Sequence, residues 1–391
     1  MRTATRIVNA GRHPDQYSGA VNPPVYRTST VLSSTVGDWQ ARQAQRKAGV
    51  PGMYYGRHGT LTTRSLEEAI AEIEGGDRAF VCPSGMAACA MAILAFVKTG
   101  DHILVTDNVY GPVRIFADDV LVRMGVETTY FDPAAGGDIG KLIRPNTVLV
   151  YTEAPGSHTF EMQDIPAISA AAHAAGAVVL MDNTWATPLY FPAFERGVDV
   201  SIQAATKYVI GHSDAMLGLV TVKKAHEAEM ERSIHAYGTI TSPDDVYMAQ
   251  RGLRTMHVRL ERHWASGVKL AQWLAAQPEV AEVVHPALPG DKGHALWKRD
   301  FLGASGLFCF SFRDMPAALV DGFVDALQLF NIGASWGGFE SLILPIAPAS
   351  QRTATRWTQP GKTLRIHAGL EDADDLLEDL DSALRMLRSR L

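Results

Sequence analysis

The sequence predicts an α/β fold, in which a mostly parallel sheet is flanked by helices and followed by a smaller α+β domain. Between about residues 60 and 253, short apolar runs typical of buried strands alternate with alanine-rich runs of helical periodicity. Such alternation produces parallel strands connected by helices that cover the faces of the sheet. The length of 391 residues, with 47% hydrophobic and 20% charged content, is enough for one large packed domain and a smaller one.

The individual elements follow in chain order from these runs. Strands are predicted at 79–82, 103–105, 148–151 and 178–181, and helices at 86–98, 113–124 and 165–175. After Gly252, a long helical run at 258–277 marks the passage into the second domain, where 305–312 alternates as a strand and 373–387 is an amphipathic helix. Residues 61–253 are therefore predicted to form the first domain and residues 254–391 the second.

Residues 1–60 are predicted to be an N-terminal arm with little core of its own. Pro14, Pro23, Pro24 and Pro51 interrupt any regular period, and polar residues dominate the segment. We therefore expect an irregular chain before the first domain.

Composition argues against several classes of function. The formal charge of -6 is modest and both signs are spread along the chain, so neither a nucleic-acid surface nor an anionic-membrane patch is indicated. Cys82, Cys89 and Cys309 are too few and too irregularly spaced for a disulfide framework or a zinc site, and no metal is expected. The N-terminus lacks an apolar signal core, and no stretch approaches the roughly 20 apolar residues of a membrane span. We expect a soluble, cytoplasmic protein.

Asp182 and Lys207 are the most informative residues. Asp182 ends the apolar run 178–181, and Lys207 lies in the small-residue stretch Ser-Ile-Gln-Ala-Ala-Thr-Lys-Tyr at 201–208. An amine can form a Schiff base with pyridoxal 5'-phosphate, and a carboxylate can hold the ring nitrogen of that cofactor protonated. Either residue alone is better explained as a strand-capping acid or a loop lysine. The prediction of a cofactor site therefore depends on the neighbouring sequence.

Several neighbours offer groups that this cofactor would need. Gly85 opens a helix after the strand 79–82, and the unpaired amides of a helix start can hold a phosphate. Thr206 offers a hydroxyl and Arg57 a forked cation to the same phosphate, while Tyr110 can stack on a flat ring. Each also has a structural explanation: a glycine required by a turn, a strand-end threonine, a surface charge or a half-buried packing residue.

A series of motifs resembles one family of enzymes. The motifs are Tyr-Gly-Arg-His-Gly-Thr (55–60), Pro-Gly-Ser (155–157), Asp-Asn-Thr-Trp (182–185), Gln-Ala-Ala-Thr-Lys-Tyr (203–208), Gly-His-Ser-Asp (211–214), Ser-Trp-Gly-Gly-Phe-Glu-Ser-Leu (335–342) and Leu-Arg-Ile-His (364–367). In this order, from about residue 8 to the C-terminus, they resemble the Cys/Met-metabolism family of pyridoxal-phosphate enzymes, and within it the bacterial cystathionine β-lyases. The resemblance implies fold type I, the aspartate-aminotransferase type, and a homotetramer built of two dimers with active sites shared between subunits.

The same resemblance implies which residues would hold the cofactor. Lys207 would bind it covalently, Asp182 would pair with its ring nitrogen, and Tyr110 would stack on its ring. The phosphate ligands would be Gly85, Met86 and Thr206, together with Tyr55 and Arg57 from the neighbouring subunit. One departure is Ala204, where many relatives carry a serine, so one hydrogen bond to the phosphate is expected to be missing.

The resemblance also implies a substrate site and a reaction. Arg365 would hold the carboxylate of a small sulfur amino acid, helped by Ser335, Trp336 and Tyr55. Lys207 would remove the Cα proton and return a proton to the departing sulfur, with Tyr110 and Tyr55 as the other catalytic residues. With cystathionine, this α,β-elimination would give homocysteine, pyruvate and ammonia, a carbon–sulfur lyase reaction of transsulfuration in methionine biosynthesis.

Three sequence differences from relatives that act at the γ-carbon favour β-elimination. Trp336 stands where those relatives carry leucine, Pro155-Gly156-Ser157 replaces their Pro-Thr-Asn-Pro, and no cysteine lies close to Tyr110-Gly111-Pro112. Other carbon–sulfur lyases of the family, acting on cysteine or cystine or as cystathionine γ-lyases, remain alternatives. A non-catalytic regulator that binds the cofactor is disfavoured because Arg365, Tyr110 and Tyr55 are all present. A nucleotide-binding protein is disfavoured because no Gly-x-Gly-x-x-Gly or phosphate loop occurs.

Overall fold

The computed structural model of the chain describes residues 1–50, 52–359 and 361–391. Its strands are β1 Arg78–Cys82, β2 His102–Thr106, β3 Glu127–Phe131, β4 Thr147–Glu153, β5 Val178–Asp182, β6 Val200–Gln203, β7 Gly218–Val222, β8 Val280–Val284, β9 Leu307–Phe312, β10 Asn331–Ile332, β11 Leu342–Ile346 and β12 Thr363–His367. Its helices are α1 Thr3–Asn9, α2 Val36–Lys47, α3 Leu61–Glu74, α4 Gly85–Leu94, α5 Gly111–Ile115, α6 Ile165–Ala174, α7 Thr187–Tyr190, α8 Glu227–Ala236, α9 Pro243–Ala275, α10 His294–Asp300, α11 Ala317–Ala326 and α12 Ala373–Arg388.

The larger sheet has the strand order β1-β7-β6-β5-β4-β2-β3. The neighbours from β3 to β6 pair in parallel, whereas β7 pairs antiparallel with both β1 and β6. The predicted α/β class with a mostly parallel sheet is confirmed, and the predicted strands correspond to β1, β2, β4 and β5. Strands β3, β6 and β7 were not predicted. Strand β3 lies at the sheet edge and β6 is short with polar residues, so neither has a continuous apolar run, whereas the apolar residues of β7 were overlooked.

Successive residues of the central strands face opposite layers of the core. Val150 of β4 and Val179 of β5 pack in the layer that contains α3 and α6. Leu149 and Leu180, their neighbours along the chain, pack in the layer that contains α4 and α8. Because side chains alternate along a strand, both faces of the sheet are covered, and its strand ends are left for binding.

The predicted helix 113–124 changes type along its length. The α-helix α5 ends at Ile115, a wider π-helical turn continues over Phe116–Leu121, and a 3-10 turn ends at Met124. Val113, Ala117 and Leu121 are all buried. The predicted extent and apolar face are therefore observed, but the α-helical geometry is not.

The N-terminal segment is less irregular than predicted. It contains α1 and also α2, whose first turn is capped by the Thr35 side chain accepting from the Asp38 N–H group. Ile7 of α1 is buried, and Arg254 of α9 donates hydrogen bonds to its carbonyl and to that of Ala10, at 2.7 and 2.8 Å. Helix α2 buries none of its residues within the single chain. Ile7 packs into the core beside the larger sheet rather than into a core of the segment itself, and the assignment of residues 1–60 as an arm stays a prediction.

A second sheet, ordered β10-β11-β12-β9-β8, lies in the C-terminal part of the chain. The predicted strand 305–312 corresponds to β9, and the predicted terminal helix to α12. Helix α9 begins at Pro243 rather than at 258, because the Ser242 side chain accepts from the Asp244 N–H group and proline suits the first helical position. The predicted domain boundary at residue 253 falls inside this continuous helix, and the division of the chain stays a prediction.

The structure bears on three expectations, which concern membrane spans, metal clusters and the cysteines. Within the described ranges, no helix has the length and apolar character that crossing a membrane requires. The same residues contain no group of three or more side chains placed to hold a metal ion. Cys82, Cys89 and Cys309 are buried free thiols, so the three cysteines are core residues.

Candidate active site

Loops from several strands meet at one edge of the larger sheet. Strands β2, β4, β5 and β6 are parallel, and β1 points the same way because both β1 and β6 are antiparallel to β7. Their carboxyl ends therefore share one edge, which is where α/β proteins bind ligands. A cavity of about 450 Å³ lies there and also contacts β11 and β12 of the second sheet. Its lining includes the predicted residues Gly85, Met86, Tyr110, Asp182, Thr206, Lys207, Trp336 and Arg365.

Lys207 lies in the loop after β6, and its amine contacts residues of the loop between β10 and β11 of the second sheet. Its Nζ donates to Ser335 Oγ at 2.8 Å and lies 5.3 Å from the centre of the Trp336 ring. Burial and the positive charge of Arg365 lower the pKa of Lys207 to about 8, although the negative charge of Asp182 opposes the shift. An amine with this pKa is neutral more often than an exposed lysine, so it can act as nucleophile and base.

Asp182 is the last residue of β5 and is buried beside the cavity. Thr184 donates to its Oδ1 twice, from the backbone N–H at 3.0 Å and from the hydroxyl. Burial raises the pKa of Asp182, and these two hydrogen bonds oppose the rise. Its Oδ2 makes a long contact of 3.9 Å with Cys89 Sγ. A carboxylate that accepts hydrogen bonds through one oxygen can offer the other oxygen to a protonated ring nitrogen. That positive charge would lower the pKa of the carboxylate.

The start of α4 approaches the lysine loop closely. Ser84 caps the helix by accepting from the Ala87 N–H group at 3.1 Å, and the amides of Gly85 and Met86 lie in the first turn, where a helix supplies no partner. A Cβ atom at residue 85 would lie 2.5 Å from the Cβ of Ala204. Glycine is therefore required at 85 by the approach of the two loops, and the free amides can bind an anion.

Thr206 already has a structural task at this end of the cavity. Its hydroxyl donates to the carbonyl of Leu217 at 3.2 Å and accepts from the N–H of the same residue at 3.0 Å. A phosphate accepts hydrogen bonds, so the hydroxyl would have to turn from the Leu217 carbonyl to bind it. The predicted role of Thr206 as a phosphate ligand stays a prediction.

Tyr110 is held at the cavity by a glutamate that sequence reasoning missed. Its N–H donates to Glu153 Oε2 at 2.7 Å, and its ring is 40% exposed. Glu153 ends β4 directly beside Asp182 of β5. Burial, followed by the negative charge of Asp182, raises the pKa of Glu153 well above its ordinary value. The hydrogen bond from the Tyr110 N–H group opposes this rise and anchors Tyr110 at the cavity.

Arg365 lies on β12 and reaches the cavity from the second sheet. It is 5% exposed, and its Nη2 donates to the carbonyls of Gly333, Ala334 and Ser335 at 3.0, 3.2 and 2.8 Å. Burial lowers the pKa of Arg365 to about 10, which leaves it charged at neutral pH. Since its hydrogen bonds in the described structure go to carbonyl oxygens, its charge is not neutralised, and it can bind a carboxylate.

Tyr55 and Arg57 lie away from this cavity within the single chain. Arg57 Nη1 donates to the carbonyl of His235 at 3.4 Å, and its guanidinium carbon is 5.8 Å from the centre of the Tyr55 ring. Neither residue is among the described residues that line the Lys207 cavity. The structure thus does not bring them to Lys207 in one chain, and their roles stay predictions about the neighbouring subunit.

Sequence reasoning missed other residues of the site. Thr184 lies inside a quoted motif but received no role, and His158, which follows the Pro-Gly-Ser motif, lines the cavity with a positive φ of 63°. Glu153 carried a usable signal, because it follows an apolar strand at the edge where Asp182 also ends a strand. Parallel strands place such residues side by side.

Comparison with known proteins identifies the family. The sequence matches the Cys/Met metabolism PLP-dependent enzyme family over residues 4–385. The chain belongs to this family. It is therefore an enzyme whose cofactor is pyridoxal phosphate, and the resemblance inferred from the motifs is confirmed.

Relatives of this family member cover nearly its whole length. The cystathionine beta-lyase MetC of Escherichia coli (strain K12) is 44% identical over 384 residues, which are 97% of either chain. The L-alanine/L-glutamate racemase of Wolbachia pipientis wMel is 41% identical over 396 residues, covering 99% of this chain and 98% of the racemase. The crystal structure of metB from Corynebacterium glutamicum has 30% identity and a TM-score of 0.90, covering 99% and 98% of the two chains. The predicted fold type I is confirmed.

The side chains at the cavity fit the cofactor of the family. The desolvated amine of Lys207 suits a covalent link, the buried carboxylate of Asp182 suits a protonated ring nitrogen, and the start of α4 suits a phosphate. The lysine loop approaches the start of α4 so closely that only glycine fits at 85. These residues are therefore the proposed cofactor ligands.

Proposed function

We propose that this enzyme is a cystathionine β-lyase, which cleaves cystathionine to homocysteine, pyruvate and ammonia. The observation that carries the proposal is the position of Trp336, whose ring centre lies 5.3 Å from Lys207 Nζ. Trp336 also packs on Tyr208, with ring centres 5.4 Å apart. A bulky indole so close to the base narrows the space for a substrate bent for chemistry at the γ-carbon. The name of the Escherichia coli relative supports the same activity.

The substrate would be oriented by Arg365 and the loop that it contacts. A guanidinium binds a carboxylate through two parallel hydrogen bonds, which fixes the plane of the amino acid as well as its position. Ser335 Oγ, which accepts from Lys207 Nζ in this structure, would contact the same carboxylate. The Cα hydrogen of a substrate held between Arg365 and Lys207 would then face the lysine amine.

Lys207 would move the protons of the reaction. When bound, pyridoxal phosphate supplies an electron sink for the Cα–H bond that breaks. Lys207 Nζ, with its pKa lowered to about 8, can accept the Cα proton and afterwards donate a proton to the departing sulfur. The sulfur leaves as the thiol of homocysteine, and the remaining three-carbon fragment hydrolyses to pyruvate and ammonia.

Product analysis tests this function. With L-cystathionine, the purified enzyme is expected to release pyruvate and homocysteine in equal amounts, measured by a coupled lactate dehydrogenase assay and by thiol chromatography. Release of 2-oxobutyrate and cysteine would instead show γ-elimination. Conversion of L-alanine to D-alanine without pyruvate from cystathionine would indicate the activity named for the Wolbachia relative.

We also propose a cytoplasmic homotetramer, built of two dimers, in which Tyr55 and Arg57 serve the active site of the neighbouring subunit. Tyr55 is 43% exposed in the single chain, as is expected of a residue with a partner elsewhere. Leu32 and Trp39, in the same segment, are 83% and 54% exposed. The buried free thiols of the three cysteines fit a reducing compartment.

Mixed dimers provide the test of sharing. An Arg57→Ala chain and a Lys207→Ala chain, each inactive alone, are expected to recover about a quarter of the wild-type sites when mixed equally. This follows because half of the two-fold dimers are hybrids and each hybrid has one site with both residues intact. Pyruvate release after mixing, dissociation and reassociation measures the recovery. If hybrids form, as shown by tagged chains, and no activity returns, both residues act within one chain.

A further inference from the structure

The tilted rings of Tyr208, His263 and His367 lie behind Trp336 and outside the lining of the cavity. The ring of Tyr208 is 5.4 Å from that of Trp336 and 5.3 Å from that of His263, which in turn lies 5.0 Å from His367. Both histidines are fully buried. Since neither imidazole can reach a substrate in the cavity, their contribution has to come through the residues that they contact.

His367 contacts the loop formed by residues 333–338, which is the first part of the connection between β10 and β11. Its Nε2 lies 3.1 Å from the Gly337 nitrogen and 3.2 Å from the Gly338 carbonyl oxygen. In one neutral tautomer the ring accepts from the amide, and in the other it donates to the carbonyl, so either tautomer holds the loop. Burial, followed by the nearby His263, lowers the pKa of His367 well below its ordinary value, which keeps the ring neutral.

The same loop lies directly on Lys207. Gly337 has a φ of 83°, and a Cβ atom there would lie 3.0 Å from the Cα and Cβ atoms of Lys207. Two residues earlier, Ser335 Oγ accepts the hydrogen bond from Lys207 Nζ. The loop therefore contacts the lysine through its backbone and through a side chain, and a small displacement would disturb both contacts.

Strand β12 contacts this loop at two points. Arg365 holds the carbonyls of residues 333–335, and His367, two residues further along β12, holds Gly337. Trp336 lies between the two points of attachment. The placement of the indole relative to Lys207 is thus fixed from both sides by one strand.

We propose that His367 is a positioning residue, which fixes loop 333–338 so that Ser335 and Trp336 face Lys207 and the carbonyls of the loop orient Arg365. The proposal rests on the proposed function in that this loop carries the substrate contacts. Removing the imidazole nitrogen leaves the Gly337 amide without its partner in a buried place, which favours displacement of the loop. His263 makes no hydrogen bond to the loop in the described structure; its Nδ1 bonds to the Ala368 carbonyl at 2.8 Å.

The experiment compares His367→Phe and His367→Gln with the matched control His263→Phe in the holoenzyme. Phenylalanine keeps a ring but loses the nitrogen, whereas glutamine places an amide group near the position of Nε2. Glycine is the probe, because it has the amine and carboxylate of a substrate but no leaving group, and its binding is followed through the absorbance of the cofactor. We expect His367→Phe to raise the dissociation constant of glycine and the KM for β-chloro-L-alanine by roughly tenfold. His367→Gln is expected to restore most of the loss, and His263→Phe to bind glycine like wild type.

Thermal unfolding separates positioning from core packing. Both phenylalanine variants remove one buried hydrogen bond, so their unfolding midpoints are expected to fall by similar amounts while only one of them loses glycine affinity. Equal weakening of glycine binding in both variants would overturn the proposal, as would wild-type affinity in His367→Phe. If that variant does not fold, His367→Asn replaces it, because its shorter side chain should not reach the loop, and the same outcomes apply. Glycine binding does not depend on cystathionine cleavage, so failure of the wild-type product test would refute the function separately.

Discussion

Replacing Lys207 with alanine is expected to abolish the covalent link to the cofactor and to lower kcat/KM by roughly 10⁴-fold or more, since general acid–base catalysis alone contributes up to about that factor. The partly buried amine of Lys207, with its pKa lowered to about 8, is the one group of the cavity proposed both to bind the cofactor and to move the Cα proton. The visible absorbance of the purified protein, before and after borohydride reduction, measures the link. Mass spectrometry of the reduced protein should locate the label on Lys207.

The matched control for this variant is Lys224→Ala. The side chain of Lys224 is 81% exposed and pairs with Glu227 on the surface, so its removal should leave both the absorbance and the pyruvate assay unchanged. Borohydride labelling of a lysine other than 207 in the wild-type protein would refute the central assignment. An unchanged absorbance maximum in Lys207→Ala would do the same.

Arg365→Leu is expected to leave the cofactor absorbance nearly intact while severely lowering kcat/KM. Loss of a charge-assisted contact to the substrate carboxylate costs about 2–5 kcal/mol, which corresponds to roughly 30- to 4,000-fold. The reason is the unneutralised charge of Arg365, which is 5% exposed and bonds to loop carbonyls. Steady-state kinetics with cystathionine and titration with glycine measure the effect.

Arg365→Lys provides the control for charge without geometry. Lysine keeps a positive charge but lacks the planar fork, so an intermediate loss of kcat/KM is expected. If Arg365→Leu lost the cofactor while its fold was retained, Arg365 would belong to the cofactor site and the proposed substrate role would be wrong. Equal activity of the leucine variant and wild type would remove Arg365 from the site altogether.

The fold could be predicted where an apolar run coincided with a buried strand. Val178–Asp182, a central strand covered on both faces, is apolar at nearly every position and was found within one residue. Glu127–Phe131 at the sheet edge was not found, because an edge strand does not need a continuous apolar run. The start of α9 was also missed, although Ser242 and Pro243 form a local start signal, because Gly252 interrupts the helical pattern.

The sequence predicted those residues of the site that lie in short local motifs. Asp182 was recognisable because it ends a predicted strand, and Lys207 because it lies in a small-residue motif. The topology brings both to one edge of the parallel sheet. The partner of Tyr110, Glu153, lies 43 residues away along the chain. No periodicity connects residues so far apart, and their contact depends on the strand order.

The sequence by itself determined the family and its cofactor and predicted which lysine holds that cofactor, because these depend on residue types in short motifs. Only the tertiary structure decided how Lys207 meets Ser335, Trp336 and Arg365, which come from a different sheet. It also revealed His367 behind the loop that carries Ser335 and Trp336. The physical reason is that desolvation and hydrogen bonding at Lys207 arise from groups about 130 residues further along the chain, which meet it only when the two sheets pack together.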